Sequence, residues 1–385
     1  MPEDFGREHQ WGVILAGGEG IRLRSLTRLI SGDDRPKQFC PLIGGLTLLA
    51  HTRQRIAPCI APDRTLFVLL NSHERFYAEE LRDVRSPQTL VQPCERGTLP
   101  AILLSLLRIV QLDEQAAVAF FPSDHYYADE RKFMAGVKLA FGFAETSPET
   151  VILLGAAATR AEVGYGWLEA EPAISTHSSR GLLRVNGFWE KPSQHVAKNL
   201  LERGCIWNTF VMIGRATAFL DTIRSAQPEL YRIWEPLVGR HEPAMSSKIM
   251  KTIYDRLPTT DFSRSVLGAS PEKLGVLNLG DVGWSDLGDP GRVLRMWSET
   301  GTENAWGHAR FAVPPPSFQP VDAGARNARE QASAGLYEEV AGERAIQMSL
   351  GGDHSLARRP NGAATTGIRS GKILQFVQNL HAQGG

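Results

Sequence analysis

Short apolar runs and helical patterns alternate along the first 160 residues. The runs at 13–16, 66–70, 118–121 and 151–154 are too short for helices and end in turn-forming residues. Between them, apolar residues recur at helical spacing over 46–57, 73–84, 98–112 and 129–144. Strands separated by helices of that length predict right-handed βαβ units and a mainly parallel sheet. On such sheets ligands bind beyond the carboxyl ends of the strands, where a glycine-rich loop follows the first run.

From 160 to 300 the pattern changes. "GYGWLEAEP" and "LLRVNGFWEKP" read as two strands joined by a loop, and "WNTFVMIG" and "KLGVLNL" as two more. Helices are expected at 193–203, 215–226, 228–238 and 242–256. This part extends the sheet and covers one side of a cleft, with a soft boundary near 160. The fold class expected is therefore α/β, a mainly parallel mixed sheet flanked by helices, with a nucleotide-binding part over about 11–160 and a second part over about 161–300. After Trp306 the chain is rich in Pro, Ala, Gly and charge. We read 307–385 as a weakly structured accessory segment, with a short terminal helix at 371–385.

Composition narrows the function. The 385 residues carry 42 Lys+Arg against 42 Asp+Glu, so no overall basic surface is available for nucleic acid. A local basic cluster then suits a small anionic ligand. The four cysteines are widely spaced and form no CxxC pair, which argues against a zinc site or a disulfide framework and suits reduced thiols in the cytoplasm. Residues 1–10 are polar, and no apolar run approaches the ~18 residues of a membrane span. A homo-oligomer is compatible with all of this.

The candidate chemistry begins at "AGGEGIRLRSLT" (16–27). Neither G-x-x-x-x-G-K-[ST] nor G-x-G-x-x-G is present. A dinucleotide site would want an acidic ribose-binding residue about twenty positions on, where the chain has Arg35 and Lys37. By itself the loop is equally an ordinary βα turn. In "VQPCERGTLPAIL" (91–103), Gln92 can offer a donor and an acceptor to a purine edge, and Gly97 and Thr98 fit a helix start with Thr98 as its cap. Plain helix capping explains the same residues. In "AFFPSDHYYAD" (119–129), Asp124 after a buried strand suits Mg²⁺, although a turn residue is the commoner reason for an aspartate there. His125 reads as a structural neighbour.

Taken in order, these segments resemble the sugar-1-phosphate nucleotidylyltransferases. The loop is similar to A-G-G-x-G-T-R-L-x-P-L-T, and "RPKQFCPL" resembles the P-K-Q-[FY]-L-x-L of the mannose-1-phosphate guanylyltransferase branch. "VGYGWLE" (163–169), "FWEKP" (188–192), "WNTFVMIG" (207–214) and "VGWSDLGDPGRV" (282–293) match G-Y-G-[YW]-[IL], F-x-E-K-P, W-N-[ST]-G-[IM]-F and G-W-x-D-[VIL]-G. Ile21, Ser25, Leu99 and Phe210 stand where the patterns have Thr, Pro, Ala and Gly. The resemblance covers about three-quarters of the chain and implies a Rossmann-like, GT-A-like nucleotidyltransferase fold.

It also implies roles. Gly17, Gly18 and Gly20 would let backbone N–H groups approach a triphosphate. Arg22 and Lys37 would neutralise its β,γ-phosphates. Gln92, Gly97 and Thr98 would lie at the base. Gly164, Tyr165, Gly166, Glu190 and Asn208 would line the sugar, and Lys191 would pair with the sugar phosphate. Asp124 and Asp286 would hold Mg²⁺. The expected reaction is in-line attack of a sugar-1-phosphate oxygen on the α-phosphorus of an NTP. GTP and mannose-1-phosphate giving GDP-mannose and pyrophosphate is the first reading. Another sugar-1-phosphate/NTP pair, or a non-catalytic sugar-nucleotide-binding regulatory relative, stays open.

Overall fold

A computed structural model describes residues 6–171, 181–234 and 247–300. The tail over 307–385 and its terminal helix lie outside the described residues. Each of the four apolar runs forms a strand, β1 (Gln10–Leu15), β2 (Thr65–Leu70), β4 (Ala117–Pro122) and β5 (Val151–Ala156), and β3 (Thr89–Gln92) forms outside those runs. They are followed by β6 (Gly166–Ala170), β7 (Leu182–Glu190), β8 (Ile206–Arg215) and β9 (Leu274–Asn278). All nine join one sheet in the order β3-β2-β1-β4-β8-β5-β9-β7-β6. The sheet is mixed. Pairing is parallel across β3-β2-β1-β4 and between β5 and β9, and antiparallel wherever β8 or the β6–β7 pair takes part. β8 lies between β4 and β5, so the later part of the chain is built into the middle of the sheet.

Helices cover both faces, because successive side chains in a buried strand point to opposite sides. Val13, Leu66, Val68, Val118 and Phe120 face one core. That side is covered by α4 (Thr98–Leu112), α7 (Ala216–Ala226), α8 (Pro228–Trp234) and α9 (Ser247–Arg256). Ile14, Phe67, Leu69, Ala119 and Phe121 face the other core, with α2 (Leu48–Ile56), α5 (Glu130–Thr146) and α6 (Gln194–Glu202). Fully buried parallel strands read as near-continuous apolar runs, which is why they were legible.

Two helices lie outside the expected pattern, α1 (Arg24–Ser31) and α10 (Pro290–Thr300). They pack on each other through a third core that includes Leu23, Leu26, Ile30, Leu287, Val293 and Trp297. Trp297 Nε1 donates to the Leu42 carbonyl at 2.8 Å. The end of the described chain is thereby folded back onto the segment that follows the glycine loop, from Leu23 to Leu42. The expected helix over 73–84 is mostly absent. Only α3 (Glu74–Tyr77) is α-helical, and turns follow it. Hydrogen bonds there tighten to three-residue spacing, from Val84 N–H to Leu81 O at 2.9 Å for instance. Among the described residues no helix is long and apolar enough to cross a membrane.

The start of the sheet is anchored by Asp113 at the end of α4. It accepts from Trp11 Nε1 at 2.9 Å and lies 2.9 Å from His9 Nδ1. Burial raises the pKa of its carboxyl, but these donors outweigh burial and hold it below the usual range. A lowered carboxyl contributes stability above its unfolded pKa of ~3.9 and loses it as pH falls through the folded value. Asp113→Asn is expected to destabilise the protein by about 2 kcal/mol at neutral pH. In urea titrations that gap is expected to close as the pH drops below ~4; a gap independent of pH would exclude the charged form as the anchor.

Candidate active site

The glycine loop leaves the carboxyl end of β1 and is held open by a side chain from the next segment. Gln38, on a single 3₁₀ turn at Lys37–Phe39, donates from Nε2 to the Ala16 and Gly18 carbonyls at 2.9 and 2.8 Å. Gly20 adopts φ 60 and its backbone approaches Lys37 so closely that a Cβ would lie 3.0 Å from the Lys37 nitrogen. A Cβ on Gly17 would meet Gln92 Nε2 at 3.0 Å, whereas Gly18 faces open space. Arg22, just past the loop, is exposed.

A cavity of about 210 Å³ opens beside this loop at the ends of the strands. Gly17, Gly18, Gln92, Gly97, Thr98 and Asp124 all line it, together with Gln38, His125 and Phe210. Gln92 is buried, with its amide oxygen accepting from the Tyr254 hydroxyl at 3.0 Å. Gly97 is the N-cap of α4. Its φ of 81 suits glycine, and a Cβ would strike the Thr260 carbonyl at 2.3 Å. The expectation that Thr98 caps this helix is corrected. Thr98 is already the first helical residue, and its hydroxyl accepts from the Phe262 N–H at 2.8 Å.

Asp124 follows β4, and Asp286 reaches it from the far end of the described chain. A two-way backbone pairing between Tyr126 and Ser285, at 2.9 and 3.1 Å, sets the two segments side by side. Lys37 fills the space between them. Its ammonium meets Asp124 Oδ2 at 2.9 Å and donates to the carbonyls of Asp286 and Leu287. The three N–H groups of a lysine are thereby all engaged. Burial raises the pKa of Asp286, but Lys37 and Arg292 outweigh it and keep the carboxyl below the ordinary range. Burial pushes His125 down to about 4, so it is neutral at physiological pH.

The remaining candidates form a second group. Gly166 on β6 pairs across the sheet with Glu190 on β7 and with Asn208 on β8. The three sit on one rung, and the missing side chain at the centre leaves a bay between a carboxylate and an amide. A Cβ there would lie 3.0 Å from Glu190 Oε2. Burial raises the Glu190 pKa against the opposing effect of Lys191, whose ammonium lies 3.0 Å from Glu190 Oε1. Lys191 itself is half exposed and adopts φ 48. Tyr165 is buried against Trp284, with ring centroids 4.5 Å apart.

Comparison with known proteins adds family to geometry. A family model described as nucleotidyl transferase matches residues 11–303. The chain belongs to the nucleotidyl transferase family. It is 30% identical over 76% of its length to the xanthan biosynthesis protein XanB of Xanthomonas campestris pv. campestris, covering 60% of that protein. It is 29% identical over 72% of its length to a mannose-1-phosphate guanylyltransferase of Salmonella muenchen, covering 57% of it. The chain thus spans about three-fifths of the curated relatives it matches. A solved structure from Thermus thermophilus, named mannose-1-phosphate geranyltransferase, superposes with a TM-score of 0.64. It is 28% identical, and the match covers 77% of this chain and 80% of that one.

For a nucleotidyl transferase of this kind, sequence reasoning missed Arg292. It is buried at the start of α10 and donates to Asp286 Oδ1 at 2.6 Å and to Glu162 Oε1 at 2.8 Å. It lies 3.1 Å from Asp289 Oδ2, and its guanidinium stacks 4.3 Å from the Tyr165 ring centroid. It therefore locks Asp286 to the hairpin that carries Gly164–Gly166. A Cβ on Gly164 would sit 2.3 Å from this guanidinium, which explains that glycine. Gln38 and Tyr254 were missed as well. Gln38 lay within a quoted motif, but nothing local marks Tyr254. Arg292→Met would remove the buried ion-pair partner of Asp286 and is expected to cost about 3–5 kcal/mol in urea unfolding, as for one partner removed from a buried pair. A change under ~1 kcal/mol would place it among weak surface pairs.

Proposed function

We propose that this nucleotidyl transferase joins an NTP to a sugar-1-phosphate, releasing pyrophosphate, with GTP and mannose-1-phosphate as the pair it uses. The observation that carries this reading is the junction. Asp124 lines the glycine-bordered cavity, Lys37 ties it to Asp286, and Arg292 ties Asp286 to the hairpin beside the Gly166 bay. A slot that sets apolar walls beside amide and hydroxyl groups suits a nucleoside, and a polar bay suits a sugar. The relatives named for mannose-1-phosphate guanylyl transfer support the choice of substrates.

The difficulty of the reaction is electrostatic, since two anions must meet. A phosphate monoester is largely a dianion at neutral pH, so its oxygen can attack the α-phosphorus in line without a base. A neutral His125 fits that requirement. The loop backbone at Gly17–Gly20 would receive the triphosphate, and the exposed Arg22 would neutralise its outer phosphates. Lys191 would meet the sugar phosphate, while Glu190 and Asn208 bind sugar hydroxyls across the bare Gly166. The chain's contribution is then positioning and preorganised charge.

The donor set fits Mg²⁺, which takes oxygen ligands and keeps several waters beside one or two carboxylates. Lys37 engages Asp124 through Oδ2, and Arg292 and the Gly288 N–H engage Asp286 through Oδ1. Asp124 Oδ1 and Asp286 Oδ2 are the oxygens that would hold the metal. When bound, Mg²⁺ would offset the negative charge of the reacting phosphates. Cys40, Cys59, Cys94 and Cys205 are free, which fits a reducing compartment such as the cytoplasm.

Pyrophosphate release should be followed with four NTPs against mannose-, glucose-, galactose- and N-acetylglucosamine-1-phosphate in the presence of Mg²⁺. Release with GTP and mannose-1-phosphate alone is the expected outcome. Release with a different pair would keep the chemistry and change the product. No release from any pair would contradict catalysis.

A further inference from the structure

β8 changes partners part-way along one edge. Through Met212–Arg215 that edge pairs with β4, and through Ile206–Asn208 it pairs with β6. Thr209, Phe210 and Val211 lie at the fork between them. On the opposite edge the register with β5 jumps from Leu153↔Met212 to Gly155↔Asn208, so these three residues face only Leu154. The bulge is fixed by its own bonds. Thr209 Oγ1 donates to Leu154 O at 2.7 Å, and the Phe210 N–H donates to Asn208 Oδ1 at 3.1 Å.

At its centre Phe210 adopts φ 61, a left-handed conformation that bulky residues avoid. Bulges beside active sites re-aim side chains, and strained residues persist where the surroundings dictate them. Here Phe210 lines the 210 Å³ cavity, and its side chain packs against the core that contains Val68 and Ala101. Leu15, Val68, Ala101 and Pro122 supply further apolar wall, while polar side chains, Gln92 and Thr98 on one side and Ser123, Asp124 and His125 on another, share the lining. Apolar walls set beside amide and hydroxyl groups match a planar heterocycle, which has apolar faces and a polar edge, while the hydroxyls of a sugar ring find partners on the Gly166 rung.

We propose that Phe210 is a specificity-determining residue for the nucleotide: its ring packs against the nucleoside of the bound NTP and makes the slot favour the larger purine bases over pyrimidines, which stack less strongly. This inference rests on the NTP-binding reading above and adds the residue that enforces the choice. The ring stands where the nucleotide cavity gives way to the sugar rung, since Asn208 lies two residues before it on the same strand. Its backbone strain is the cost of holding a large flat side chain at that fork.

The test is calorimetric binding of GTP, ATP, CTP and UTP with Mg²⁺ to the wild-type protein and to F210L, F210A and F210G, with the Tm of each. Loss of the ring in F210A and F210G is expected to weaken GTP about tenfold, within the range for lost base–aromatic stacking. The preference for GTP over CTP and UTP is expected to shrink, and the KM for sugar phosphate to stay within about twofold. F210L, which keeps an apolar side chain, is expected to retain part of the affinity and carries the test if the smaller variants fail to fold. F210G is expected to melt above F210A, because glycine accepts the left-handed backbone. Unchanged NTP affinity and preference in a folded F210G or F210L, or a loss confined to the sugar-phosphate KM, would overturn the role of Phe210. Failure of the wild-type protein to bind any NTP would instead overturn the reading on which it rests.

Discussion

One buried ammonium ties together three stretches of chain that lie far apart in sequence. Lys37 reaches the Asp124 carboxylate and the carbonyls of Asp286 and Leu287 from the turn that also braces the glycine loop. Without it, Asp124 would lose its ion-pair partner, and Arg292 would be left as the direct ion-pair partner of Asp286. The third core makes this meeting possible, because α1 and α10 pack against each other and bring the two ends of the described fold into contact. Leu287 takes a left-handed φ of 46 at the point where its carbonyl meets Lys37. Local strain and a fully engaged cation thus occur at the same place.

Around that point the polar and apolar demands are separated by the sheet. One end holds a glycine-edged slot with apolar walls, and β6–β8 hold a rung whose centre has no side chain. Arg292 connects the two by sharing its guanidinium among Asp286, Glu162 and Asp289 while stacking on Tyr165. A planar fork with several donors can do this, and an ammonium could not. The arrangement is preorganised: its charges are fixed by protein partners before any ligand arrives.

The strands were legible because buried parallel strands are short and uniformly apolar. α10 also carries a readable stripe in Val293, Met296 and Trp297, but α1 is a short segment whose apolar positions are diluted by arginine and serine. The pattern at 73–84 misleads, since periodicity alone does not show that only one turn will be α-helical. The residues brought together around the cavity came from ordered motifs, each weak alone. Arg292 lies within the quoted 282–293 stretch but beyond the pattern matched there: its partner Glu162 lies 130 positions away, and a lone arginine in a helix is ordinary. The conformation of Phe210 is equally unreadable, although a phenylalanine in place of a patterned glycine marks the position.

The most direct test of this organisation is the unfolding free energy of Lys37→Met in urea, measured beside the wild-type protein. We expect a loss of about 3 kcal/mol, because Asp124 and the 286–287 carbonyls would lose their shared partner. Equal stability of the two proteins would contradict the claim that this ammonium holds the site together.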